Sequence, residues 1–210
     1  MYVGEEKESA LRERFAVSGC EHVAEGWEDG WRAFHRGIAV GRFWVGPPWV
    51  EPPPGAEAIV IDPGRAFGTG SHPTTRLTLE LLQEQPAGSF LDVGCGSGVL
   101  SIAAARLGFA PVLGLDVDEP AIEVTHENAR VNGVEVTARH ADALVDALPE
   151  SDLVVANVAL GVVEALLGRV QSGRVVASGY LDRDVPRAAG WLQADRRTVE
   201  GWAADLFVRG

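Results

Sequence analysis

Three alternate glycines stand where an apolar run gives way to a helical one, in Leu91-Asp92-Val93-Gly94-Cys95-Gly96-Ser97-Gly98. Residues 89–93 read as a buried strand, and residues 97–108 as a helix that follows at once. Glycine accepts positive φ and lets a backbone approach another molecule closely. The first N–H groups of the next helix have no partner inside it, so they face whatever sits at the turn. Eighteen residues beyond Gly98, a second apolar run, 111–116, ends in Asp116. Strand, glycine turn, helix and second strand in that order open a parallel α/β sheet.

A carboxylate at the tip of the second strand is where an α/β nucleotide site holds ribose hydroxyls. The dinucleotide fingerprint Gly-x-Gly-x-x-Gly fails here, because its last position is Val99 counted from Gly94 and Ser101 counted from Gly96. The run reads instead as acid-x-Gly-x-Gly-x-Gly, with Asp92 two residues ahead of Gly94. That pattern resembles the first motif of the S-adenosylmethionine-dependent methyltransferases, and Asp116 matches their ribose-binding acid. The resemblance implies S-adenosylmethionine as the cofactor, with Asp92, Gly94, Gly96, Gly98 and Asp116 at its site.

The rest of the chain continues the alternation. After a short strand at 58–61 and a loop at 62–72, a helix is expected over 73–83, with Pro73 in its first turn and Ser71 or His72 as cap. Further strands are expected at 134–139, 152–157 and 173–179, and helices at 119–131, 160–170 and 184–193. The runs Leu153-Val154-Val155-Ala156 and Val175-Val176-Ala177 are apolar throughout, as in strands covered on both faces. Residues 196–208 can supply two final strands, one of them antiparallel. The expected fold is α/β: a doubly wound, mostly parallel, seven-stranded Rossmann-like sheet with a short N-terminal appendage.

In the appendage, residues 5–15 read as a short charged helix and 37–45 as a strand. Trp27, Trp31, Phe34, Phe43, Trp44 and Trp49 cluster there, a grouping more typical of packing than of a ligand platform. The run Glu51-Pro52-Pro53-Pro54-Gly55 breaks regular structure, which sets the expected boundary: an aromatic-rich segment and linker at 1–55, and the cofactor domain at 56–210.

A net charge of −12 argues against independent binding to nucleic acid, where basic side chains supply most of the affinity. It suits a basic protein partner, or solubility alone. Cys20 and Cys95 make neither a disulfide framework nor a metal site, and Cys95 lies inside the glycine turn. No segment has the length and apolarity of a membrane span, and residues 1–14 lack the apolar core of a signal peptide. A cytoplasmic protein with no metal is the expectation.

The second dense constellation is Asp62-Pro63-Gly64-Arg65-Ala66-Phe67-Gly68-Thr69-Gly70-Ser71-His72-Pro73-Thr74-Thr75. Its glycines and hydroxyls, followed by a helix start, suit a loop that wraps a small molecule. This run closely resembles the signature of the ribosomal protein L11 methyltransferases, bacterial enzymes that methylate lysine and N-terminal amines. Asp29-Gly30-Trp31, Phe34 and Pro48-Trp49 upstream, and Asp152-Leu153-Val154-Val155-Ala156-Asn157 downstream, also look like that family. The resemblance is seen from about Trp27 to the C-terminus. It implies Thr75, Gly94, Asp116 and Asn157 as cofactor contacts, with Phe67 covering the cofactor from the loop. About 26 residues precede the matching segment, too few for the separate substrate-recognition domain of that family, so a reduced recognition part is expected.

The implied reaction moves a methyl group from a sulfonium to an amine of a protein substrate, a ribosomal protein by the resemblance. Asn157 is the candidate to orient the amine, and His72 a candidate base by position, although a helix cap explains it equally. Two alternatives stay open: a methyltransferase acting on small molecules, and a non-catalytic module that only holds the cofactor.

Overall fold

The computed structural model describes residues 36–63 and 70–210. The helix expected at 5–15, the aromatic residues Trp27, Trp31 and Phe34, and Phe67 of the signature loop lie outside the described residues. Ten strands and four helices follow in chain order: β1 Ile38–Val40, β2 Phe43–Gly46, β3 Glu57–Val60, α1 Pro73–Leu82, β4 Phe90–Val93, α2 Val99–Arg106, β5 Val112–Asp116, α3 Glu119–Val131, β6 Thr137–His140, β7 Leu153–Asn157, α4 Leu160–Leu167, β8 Arg174–Leu181, β9 Trp191–Val199 and β10 Trp202–Arg209.

Seven strands form the main sheet, in the order β6-β5-β4-β7-β8-β10-β9. The first five run parallel, while β10 is antiparallel to both β8 and β9. This is the expected doubly wound sheet with a reversed final strand. Both faces are covered, which is why its strands are apolar at consecutive positions. Phe90, Leu153, Val155 and Val176 point into a core shared with Leu79 and Leu81 of α1 and Ile102 of α2. Leu91, Val93, Val154, Ala156 and Val175 point the other way, toward Val163, Leu166 and Leu167 of α4.

The strand expected over 37–45 is two strands. Gly41, at φ +58°, turns the chain so that β1 folds back antiparallel on β2. β2 then pairs in parallel with β3, so this small sheet spans residue 55, where the sequence placed its boundary. Phe43 and Trp44 are buried there, as their clustering suggested.

The helix expected at 184–193 is absent and is corrected by the structure. Residues 184–190 form a loop, and Trp191 begins β9. Pro186 lacks an N–H to donate, and Gly190 turns the chain at φ +79°. The backbone is satisfied from outside: Arg196 Nη2 donates to the carbonyls of Asp182 at 2.8 Å and Asp184 at 2.7 Å. That guanidinium also pairs with the fully buried Asp205 carboxylate, which accepts the Tyr180 hydroxyl at 2.7 Å. Among the described residues, no helix is long and apolar enough to cross a membrane.

Candidate active site

The strand order places the site. From β4 the chain moves to β5 on one side, and β7 joins β4 on the other. Ligands of open α/β sheets bind outside the carboxyl ends of the strands at such a reversal. A cavity of about 470 Å³ opens there, within the range of small-molecule sites. It is lined by Gly94–Ser97 after β4, Asp116 and Val117 at β5, Ala141–Leu144 after β6, Asn157 and Val158 at β7, and Thr75 of α1.

The glycine turn is built as the spacing implied. Gly94, Gly96 and Gly98 all have positive φ, at +76°, +52° and +80°. Gly94 and Cys95 donate their N–H groups to the Leu115 carbonyl, at 2.8 and 3.0 Å, which lays the turn across the tip of β5. The Asp116 carboxylate then accepts the Gly96 N–H at 2.9 Å and the Asp118 N–H at 3.0 Å. One face of this carboxylate therefore orders the turn while the residue lines the cavity. A side chain at Gly94 would meet Val158 Cγ1 at 2.6 Å, and one at Gly98 would meet the Thr125 backbone at 3.2 Å. The turn is thus pressed against β7 on one side and α3 on the other.

Helix α3 supplies anchors that the sequence reading missed. The Thr125 hydroxyl donates to the Gly96 carbonyl at 3.1 Å, and Asn128 Nδ2 to the Ser97 carbonyl at 2.8 Å. Both residues are buried, three apart on one face of an otherwise amphipathic helix. Buried polar residues at helical spacing were the available signal. The wall at Val117 and Ala141–Leu144 was also missed, because it comes from loops with no periodicity.

Thr75 and Asn157, 82 residues apart, meet at 3.3 Å, with Asn157 Nδ2 donating to Thr75 Oγ1. The tip of β7 is held down from the next strand: Val158 N–H donates to the Ser178 carbonyl, and Gly179, at φ +103°, leaves room for the Val158 carbonyl. A Cβ at Gly179 would stand 2.1 Å from that oxygen.

Three of the sequence candidates lie off the cavity wall. Asp92 is fully buried and faces α2, where its Oδ2 accepts the Ser101 hydroxyl at 2.7 Å while Oδ1 has no hydrogen-bond partner. Burial, reinforced by the Asp116 charge and only partly offset by Ser101, pushes its pKa up to about 7. Gly98 is the N-terminal boundary of α2. His72 caps α1: its Nδ1 accepts the Thr74 N–H at 3.3 Å and contacts Thr74 Oγ1 at 2.8 Å. Cys95 lines the cavity, and burial pushes its thiol up to about 12, which disfavours the reactive thiolate. Among the described residues, no group of three or more His, Cys, Asp or Glu side chains is placed to hold a metal.

The family model described as "Ribosomal protein L11 methyltransferase (PrmA)" matches residues 3–200. The chain belongs to this family. The match begins well ahead of Trp27, where the motif resemblance started. A ribosomal protein L11 methyltransferase of Symbiobacterium thermophilum is 40% identical over 201 residues, covering 88% of this chain and 66% of that protein. One of Dechloromonas aromatica is 45% identical over 174 residues, covering 77% of this chain and 58% of that protein. The chain thus spans less than two thirds of the length of these curated relatives. A crystal structure of a ribosomal protein L11 methylase from Lactobacillus delbrueckii subsp. bulgaricus superposes with a TM-score of 0.73 at 28% identity, over 82% of this chain and 98% of that one.

Proposed function

We propose that this chain is an S-adenosylmethionine-dependent methyltransferase that transfers methyl groups to amines of a protein substrate, a ribosomal protein by kinship with the PrmA family. The observation that carries the proposal is the convergence of Gly94–Ser97, Asp116 and the Thr75–Asn157 pair on one cavity. The chemistry of the wall fits the methyl donor. Asp116 offers a carboxylate for ribose hydroxyls, and Val117 and Leu144 offer apolar surface for a base. In this reading Phe67, Thr75, Gly94, Gly96, Asp116 and Asn157 contact the cofactor, while Asp92 and Gly98 act by holding the turn.

The bound cofactor supplies an activated methyl group; the protein positions the partners and removes water. A lysine ammonium has no lone pair, and with a pKa near 10.4 its deprotonation at pH 7 costs about 4–5 kcal/mol. Desolvation beside apolar walls favours the neutral amine and lowers that cost. The amide nitrogen of Asn157 is committed to Thr75, so its oxygen is the group that accepts an amine N–H and aims the lone pair. His72 is committed to the α1 cap and is left out of the proton path. We place the enzyme in the cytoplasm, where a ribosomal protein and the methyl donor occur together, without nucleic-acid binding of its own.

Labelled S-adenosylmethionine, the purified chain and purified ribosomal protein L11 test the proposal, with peptide mass spectrometry locating the added methyl groups. Label on lysine or N-terminal amines is expected. Label found only in a small-molecule fraction of a cell lysate, or cofactor binding with no transfer, would replace it.

A further inference from the structure

The tip of the β9–β10 hairpin grips the first turn of α1, the turn that carries Thr75. Glu200 lies at φ +52° and Gly201 at φ +79°. Two successive positive φ values make a tight hairpin turn that favours Asn-Gly or Gly-Gly. A glutamate there strains the backbone, and Asn would relieve part of that strain. What Glu200 adds is a carboxylate: its Oε1 accepts Arg76 Nη2 at 2.9 Å, 124 residues away in sequence. Two residues on, Trp202 meets the ring of His72 edge to face, with centroids 4.9 Å apart and planes at 70°. Arg76 and His72 flank Thr74 and Thr75, and Thr75 meets Asn157 at the cavity. At the far end of α1, Arg197 of β9 pairs with Glu84 at 2.6 Å. The hairpin is tied to the helix at both ends, and its tip is the end that addresses the cavity.

We infer that Glu200 and Trp202 are positioning residues for the cofactor site, acting through Arg76 and His72 to fix Thr75 against Asn157. This inference rests on the proposed function for what the cavity binds. The contact between hairpin and helix can still be measured without any ligand. Glu200 is exposed and Arg76 is partly so, so the ion pair is screened by water and salt. A contact cannot change binding by more than the energy it carries. The expected effect of breaking the ion pair is therefore about two- to fivefold in affinity. Removing the ring contact is expected to cost about two- to tenfold.

The experiment titrates S-adenosylmethionine into the whole chain and into Glu200→Asn and Trp202→Leu. Thermal melts and amide hydrogen exchange of residues 73–77 are recorded without ligand. Glu200→Asn is expected to bind two- to fivefold more weakly, less so at high salt, while its melting temperature holds or rises because the turn is relaxed. Glu200→Gln should recover part of the loss, and the Arg76 amide should exchange faster in Glu200→Asn. Equal affinity in both variants, whatever their stability, overturns the inference, because a merely structural hairpin would lower melting without touching binding. If the unaltered chain does not bind S-adenosylmethionine, the proposed function falls. Amide exchange then decides alone: faster exchange in the variants sustains the grip on α1, and unchanged exchange overturns it.

Discussion

Asp92→Asn should abolish a defined part of the pH dependence of stability. In the folded chain the Asp92 carboxyl is fully buried, keeps one hydrogen bond to Ser101 and has a pKa of about 7. In the unfolded chain it returns to its ordinary value of 3.8. Between those values the native state holds a proton that the unfolded state has lost, so unfolding releases a proton and stability falls as pH rises. The contribution is fully present below pH 3.8 and is lost as pH passes through about 7. Linkage over pH 5 to 8.5 gives a loss of about 3 kcal/mol from this group alone. Asparagine is nearly isosteric and does not titrate. The absolute stability of the variant depends on how its amide is satisfied, so the difference between the two pH profiles is the quantity to read. Urea unfolding of both proteins at five or six pH values provides it. The wild-type curve should fall relative to the variant by about 3 kcal/mol, most of it below pH 7, and level off above. Parallel profiles would mean that Asp92 is already ionised in the native state, which would refute the account of a desolvated carboxyl beneath the glycine turn.

Two further outcomes follow from the same geometry. Asp116→Ala should weaken S-adenosylmethionine binding in titration calorimetry by about 1.5–3 kcal/mol, the usual value of hydrogen bonds to a charged group; unchanged affinity with a collapsed melting temperature would make the carboxylate a strut for Gly96 and nothing more. Gly179→Ala places a Cβ 2.1 Å from the Val158 carbonyl at φ +103°, so urea unfolding should show a loss of about 2–4 kcal/mol; an unchanged midpoint would show that the β7 tip moves freely.

The sheet and the motif-bearing turn were legible in the chain. Short apolar runs such as Leu153–Ala156, alternating with helical patterns, read as strands covered on both faces, so the parallel sheet was legible in the chain. Gly94, Gly96 and Gly98 announced a tight turn because positive φ is a local property, and Asp116 was readable because it ends an apolar run. The 184–193 segment misled because its helical pattern is a weak local preference. Arg196, which lies beyond it, captures the carbonyls of Asp182 and Asp184 at its start, and β10 pairs with Trp191–Val199. The folded chain alone reveals meetings across long stretches of sequence: Thr75 with Asn157, Thr125 and Asn128 with the turn, and Glu200 and Trp202 with the start of α1. It also shows that Asp92 faces α2 rather than the cavity and that His72 caps a helix. Residue type and spacing fix what a side chain can do. Which partner it meets depends on strand order and the stacking of helices on the sheet, and those contacts leave no periodicity in the chain.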